Sequence, residues 1–213
     1  MEERIDLMKM NDSYRLNNQE NGLSSTLKRG FDIVFSIIGL VPATPIVLVT
    51  TLAIMVESPG NPFYLQKRLG LLGIEFKVIK LRSMRLDAEK NGAKWADKND
   101  DRITKVGHFI RKTRIDELPQ LINVLKGDMS IIGPRPERKV FVDEFSKEIP
   151  NFPKRMEVKP GLTGWAQVNG GYDISPEEKL ELDLYYIKNK SLKMDFAILL
   201  KTVGIVLTGE GAR

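Results

Sequence analysis

Phe31-Asp-Ile-Val-Phe-Ser-Ile-Ile-Gly-Leu-Val-Pro42-Ala-Thr-Pro45-Ile-Val-Leu-Val-Thr-Thr-Leu-Ala-Ile-Met-Val56 is an apolar run with one charge, Asp32, near its start. Its length suffices for a straight bilayer crossing, which needs about 20 residues. Two features complicate a simple crossing. Pro42 and Pro45 fall mid-run, where each removes a backbone donor and crowds the carbonyl four residues back. The Thr44 hydroxyl is placed to bond a freed carbonyl. Both ends are also basic, with Lys28 and Arg29 before the run and Lys67, Arg68, Lys77, Lys80, Arg82 and Arg85 after it. Such flanks favour the cytoplasmic face for both ends. A helix that bends at the prolines and returns, with arms of about 12–14 residues (roughly 20 Å each), meets both conditions. From these residues alone, the re-entrant and the kinked spanning helix both stay open. A buried helix of a soluble core suits so long an uncharged run poorly.

Outward from the run, charge is uneven. The net charge is +5, but residues 1–25 carry five acids and three bases, so the remainder is more basic still. A basic body suits an anionic partner: phospholipid, a phosphorylated substrate or nucleic acid. The chain has no Cys, which excludes disulfides and thiolate metal sites, and its one His makes a His-based zinc site untenable. Residues 1–25, rich in Asn and charge, read as a mobile tail without the apolar core of a signal peptide. Residues 26–57 are the membrane-inserted helix and 58–213 one further domain. At 213 residues the chain is long enough for one well-buried domain.

In that domain Phe63–Arg68 and Ile74–Leu81 read as a hairpin through the Gly70–Gly73 turn. Residues 91–101 read as a loop. Thr104 is placed to cap a helix through Thr113, with Val106, Phe109 and Ile110 on one face and Lys105, Arg111 and Lys112 elsewhere. That face suits either a lipid surface or the protein core. The next helix is expected from Asp116 to Leu125, with Pro119 in its first turn. Ser175-Pro-Glu-Glu178 starts another with cap, proline and acid in place. Leu180, Leu184 and Ile187 then form its core stripe. Met194–Leu207 is too short and too charged to span a bilayer.

Asp116 and Glu117 are the chemically suggestive pair. Arg102, Lys105, Arg111, Lys112 and Arg114 crowd upstream of them, and Gly133-Pro-Arg-Pro136 follows. Nearby cations favour ionised carboxylates, and an ionised carboxylate beside phosphate-holding groups is equipped for covalent phosphoryl transfer. A purely structural reading stands beside this one: Thr113-x-x-Asp116 as a capping box, or Asp116 as the cap itself. Trp165, among Gly161, Gly164 and Gly170, suits an interfacial anchor or plain packing.

Six segments occur in series: Lys80-Leu-Arg-Ser-Met84, Arg102-Ile-Thr-Lys-Val-Gly107, Asp116-Glu-Leu-Pro-Gln-Leu121, Asn123-Val-Leu-Lys-Gly-Asp-Met129, Gly133-Pro-Arg-Pro136 and Lys159-Pro-Gly-Leu-Thr-Gly-Trp-Ala-Gln-Val-Asn169. From about Lys28 onward the chain thereby resembles the bacterial sugar transferase family, the monotopic phosphoglycosyl transferases. The resemblance implies a helix-rich α+β fold with a re-entrant membrane helix, a small hairpin, amphipathic interfacial helices and a cytoplasmic catalytic domain. It implies transfer of a sugar 1-phosphate from a UDP-sugar to polyprenyl (undecaprenyl) phosphate, with Asp116 as nucleophile and Glu117 as ligand to Mg²⁺. It further implies Lys80, Arg111 and Arg135 as the candidates for gripping the diphosphate, Arg135 from between two prolines that stiffen its loop. For the donor so implied, Trp165 also suits stacking on uracil. Such a reaction initiates capsular, exopolysaccharide or glycoconjugate assembly at the inner membrane. The family's bend usually carries Ser-Pro; Thr44-Pro45 keeps the hydroxyl. The family also often has Arg after Val-Asn-Gly, where this chain has Gly171. A non-catalytic adaptor binding anionic lipid is the rival reading, and it gives the adjacent carboxylates no task. No aromatic ribonucleoprotein motif and no Gly-x-x-x-x-Gly-Lys-Ser/Thr appears, so neither a nucleic-acid partner nor a P-loop is expected. The sequence leaves the sugar open, and homo-oligomers are compatible with it.

Overall fold

The structure is a computed structural model, and it describes residues 22–90, 92, 100–170 and 174–208. Residues 1–21 of the expected tail and most of the 91–101 loop lie outside the described residues, as does Gly171; residues 22–25, expected as tail, are instead the first residues of a helix. Helix α1 (Gly22–Glu57) contains the whole apolar run and stays helical through Pro42 and Pro45. The hairpin β1 (Phe63–Leu69) and β2 (Glu75–Leu81) follows. Then come α2 (Lys105–Lys112), a 3₁₀ turn (Ile115–Glu117), α3 (Gln120–Lys126), β3 (Ser130–Ile132) and α4 (Lys139–Glu148). A second 3₁₀ segment (Phe152–Glu157), β4 (Gly161–Thr163), α5 (Trp165–Asn169), α6 (Pro176–Asn189) and α7 (Leu192–Thr208) complete it. The helix-rich α+β class is as expected. β1 and β2 pair antiparallel, while β3 and β4 form a short parallel pair.

One face of α1 belongs to the core. Asp32, Ser36, Ala43, Thr50 and Ile54 are buried along it, while Val34, Ile38, Val41, Val49, Leu52 and Val56 stay exposed on the rest of the helix. Ala43, Leu40 and Phe35 pack in one cluster with Val78, Leu121, Ile132, Tyr186 and Ile198. Each such side chain fully buried stabilises by about 1.5–3 kcal/mol. The run's one charge is used: Asp32 Oδ1 accepts from Ser130 Oγ and Ile131 N, both at 2.9 Å. The basic flank also works inside the molecule. Arg29 donates to the carbonyls of Val124 and Leu125 at the end of α3, and Lys28 pairs with Asp195 at 2.6 Å. At the far end, Glu57 accepts from the backbone N–H groups of Lys105 and Val106, the first residues of α2. Both ends of α1 are thus held by the same body.

At the prolines the outcome differs in detail from the expectation. Thr44 Oγ1 donates to Leu40 O at 2.7 Å. Pro42 and Pro45 deprive the carbonyls of Ile38 and Val41, so the hydroxyl back-bonds a neighbouring carbonyl rather than rescuing an orphan. Back-bonding of this kind bends helices.

α2 resolves its two readings by residue. Ile110 is fully buried and Val106 packs beside it against Ile54 and Leu81, whereas Phe109 points outward. Thr104 caps the helix by accepting from Gly107 N, as expected. α6 starts with the expected capping box at Ser175 and Glu178. Its stripe divides between two cores, Leu180 and Leu184 in one and Ile187 in the other. Asp195, the odd charge of apolar α7, is bonded by Lys28 and Tyr186.

Candidate active site

The chain reaches the site through a left-handed residue. α2 ends at Lys112, and Thr113 Oγ1 donates back to Phe109 O at 2.9 Å. Arg114 then takes φ 56°, ψ 16° and turns the backbone into the 3₁₀ segment that carries Asp116 and Glu117. A non-glycine residue held there costs on the order of 1 kcal/mol and recurs at functional sites. The capping readings are therefore corrected. Thr113 closes the preceding helix, α3 begins only at Gln120 behind Pro119, and neither the 3₁₀ turn nor α3 has a side-chain cap. Asp116 is left available for other work. Gly127 ends α3 at φ 89°, a conformation that favours glycine.

Glu117 is the hub. Lys80, from β2, donates to its Oε1 at 3.0 Å, and Arg135 donates to both of its oxygens. Burial pushes Glu117 up, but Arg135 and Lys80 outweigh it and hold its carboxyl well below the usual carboxylate range. Burial pushes the Lys80 ammonium down, against the pull of Glu117. Asp116, 8% exposed, behaves differently. Burial and the neighbouring Glu117 charge push it up to about 6, opposed by Lys80, Arg111 and Arg135. The expectation that the surrounding cations dominate is thus corrected in direction, because desolvation wins. At neutral pH the carboxylate form still prevails, and it is more basic than an ordinary aspartate. All five sequence-predicted residues, Lys80, Arg111, Asp116, Glu117 and Arg135, meet in one electrostatic unit.

A second set of residues, missed in the sequence, holds the Pro134-Arg135-Pro136 loop. Four consecutive carbonyls are captured by three segments: Pro134 O by Gly161 N of β4, Arg135 O by Arg155 of the second 3₁₀ segment, and Pro136 O and Glu137 O by Arg68 and Leu69 N of β1. Behind them Glu137 is buried among Lys179, Arg155 and Arg68, and Arg155 binds Asp183 at 2.6 Å. Burial pushes Glu137 up, yet Lys179, Arg155 and Arg68 bring it down to about 2. No periodicity marks these residues; the lone Glu after Pro-Arg-Pro was the only hint.

Thr44 and Pro45 lie on α1, outside this cluster. Trp165 packs against the main core, stacks on Tyr185 at 5.5 Å and has Lys201 over its ring. For a cation, the described residues contain no group of three acids or His. The Glu117 carboxylate offers oxygen ligands, which suits a hard ion such as Mg²⁺ that needs only one or two carboxylates beside phosphate oxygens.

Comparison with known proteins decides the lineage. The family model described as bacterial sugar transferase matches residues 23–209. The chain belongs to the bacterial sugar transferase family. The chain is 50% identical over 190 residues to a UDP-N-acetylgalactosamine-undecaprenyl-phosphate N-acetylgalactosaminephosphotransferase of Aeromonas hydrophila, covering 88% of this chain and 45% of that protein. It is 58% identical over 130 residues to a putative undecaprenyl-phosphate N-acetylgalactosaminyl 1-phosphate transferase of Bacillus subtilis, covering 61% of this chain and 73% of that protein. It is 41% identical over 190 residues to a UDP-glucose:undecaprenyl-phosphate glucose-1-phosphate transferase of Caulobacter vibrioides, covering 87% and 71%. The chain thus spans under half of the Aeromonas relative and about seven tenths of the other two.

Proposed function

We propose that the chain is a phosphoglycosyl transferase that moves a sugar 1-phosphate from a UDP-sugar to polyprenyl phosphate. The observation that carries this is the hub itself: a basic, buried aspartate beside a glutamate that holds two cations, under the field of a third. Asp116 is the nucleophile. One carboxylate oxygen forms a bond to the sugar-bearing phosphorus while the bridge to UMP breaks, and UMP leaves with the electron pair. The acceptor phosphate oxygen then attacks the same phosphorus and the carboxylate departs. Splitting the transfer lets one site serve a soluble donor and a lipid acceptor in turn.

Lys80, Arg111 and Arg135 hold the phosphates. Lys80 and Arg135 exchange Glu117 for phosphate oxygens when the donor arrives, which releases Glu117. Glu117 would hold Mg²⁺, and the ion supplies charge neutralisation at the phosphates. Residues 26–57 form a re-entrant membrane helix. Supporting this are its exposed apolar face and the contact of both its ends, through Asp32 and Glu57, with the same body. Two ends bound to one body favour two ends on one side, the cytoplasmic face where UDP-sugars are found. UMP release from a panel of UDP-sugars with undecaprenyl phosphate and Mg²⁺ tests the reading. No release from any donor would remove it.

A further inference from the structure

Gln120 opens α3 and is 2% exposed. Its side-chain nitrogen Nε2 is buried and makes no hydrogen bond among the described residues. A buried donor left unmet costs about 1–3 kcal/mol, so an apolar side chain of similar volume would be more stable there. Of the side chains in that state among the described residues, Gln120 is the one that lines the cleft between β2 and the Pro-Arg-Pro loop. The other walls are Arg68, Val78, Lys80, Arg135 and Pro136. Three of these six residues are cations. The cleft therefore suits an anion with several acceptor oxygens, and Gln120 adds a neutral donor to it.

We propose that Gln120 is a substrate-binding residue whose Nε2 donates a hydrogen bond to a non-bridging phosphate oxygen of the UDP-sugar. This rests on the phosphoryl-transfer reading above. The physical reason is a division of labour. Lys80 and Arg135 are engaged with Glu117 and must exchange that carboxylate for phosphate. Gln120 Nε2 has no hydrogen bond among the described residues to give up, so once Lys80 and Arg135 turn to the donor and open the cleft its contact carries no exchange cost of its own. A neutral donor also leaves Asp116 basic, where a fourth cation would lower its nucleophilicity and hold the leaving phosphate more tightly.

Two variants of the full chain test this, Gln120→Leu and Gln120→Glu, each with two readouts. One is the rise in Tm caused by inorganic pyrophosphate. The other is kcat/KM for the UDP-sugar that the wild type uses. Gln120→Leu is expected to keep or raise the Tm of the free protein, to shrink the pyrophosphate shift and to lower kcat/KM about tenfold or more. Gln120→Glu keeps the shape but repels phosphate, so its loss in both readouts is larger. If Gln120→Leu does not fold, Gln120→Met takes its place. A Leu variant with the wild-type pyrophosphate shift and kcat/KM overturns the proposal, whether its Tm falls, as for a structural amide, or stays, as for one satisfied by water. A wild type that pyrophosphate does not stabilise overturns it too. If the wild type turns over no UDP-sugar, the reaction reading fails, yet the pyrophosphate arm still decides the role of Gln120.

Discussion

The Lys80 ammonium lies 3.0 Å from the Glu117 carboxylate although 37 residues separate them. That contact joins the hairpin to the 3₁₀ turn and brings a strand cation onto the acid beside the proposed nucleophile. Arg135 reaches the same carboxylate from a third segment. The site is therefore held by ion pairs that a bound diphosphate can take over.

Asp116→Asn is expected to lower kcat by a factor of about 1,000 or more while the protein folds and binds membrane normally. Its stability should not suffer. The folded value of Asp116 is raised from 3.8 to about 6. Its contribution to stability is thus full below 3.8 and lost as pH rises through about 6. Asn does not titrate, so the variant's Tm at pH 8 should equal or exceed that of the wild type. Near wild-type turnover would remove Asp116 from the nucleophile role.

The covalent route makes a kinetic prediction. Enzyme given UDP-sugar alone should release about one UMP per active site and then stall. Polyprenyl phosphate should restart release, with parallel initial-rate plots. Intersecting lines and no trapped sugar-phosphate on the enzyme would point to direct attack by the lipid.

Removal of metal tests the acid pair. Excess EDTA should stop turnover and added Mg²⁺ should restore it, and Glu117→Gln should be severely impaired with Mg²⁺ present. Full activity in EDTA would refute the assignment of a magnesium site.

Topology is open to labelling, because the chain has no Cys to compete. Single cysteines at Ser25 and Lys67 should both react from the cytoplasmic side. Reaction from opposite sides would establish a spanning helix. Pro45→Ala, which restores a backbone donor, should shift the balance toward spanning.

Glu137 sets the acid limb of stability. Its folded value is lowered from 4.5 to about 2. The stability it contributes is present above 4.5 and lost as pH falls through about 2. Glu137→Gln should cost about 3 kcal/mol at neutral pH and flatten the unfolding curve between those values, measured by urea titration at several pH values. An unchanged pH profile would show that the buried network does not act through this carboxylate.

Local patterns were legible in the sequence because they are local in cause. The hairpin follows from alternation around a glycine turn, and the α6 start follows from Ser175, Pro176 and Glu178. The apolar run Phe31–Val56 marked most of α1, although the helix starts nine residues earlier and continues through both prolines. The motif series also singled out Lys80, Arg111, Asp116, Glu117 and Arg135, whose charges the fold brings near one another. Tertiary structure decided the rest, because burial and long-range charge have no sequence period. It showed that desolvation outweighs the cations at Asp116, so that its carboxyl rises instead of falling. It turned Thr113 away from a cap through the left-handed turn at Arg114. It brought Arg155 and Arg68 behind Arg135, to carbonyls that a linear reading cannot see. It also put Gln120 in the wall of the cleft beside Lys80 and Arg135, a placement set by how α3 packs against β2 and the proline loop.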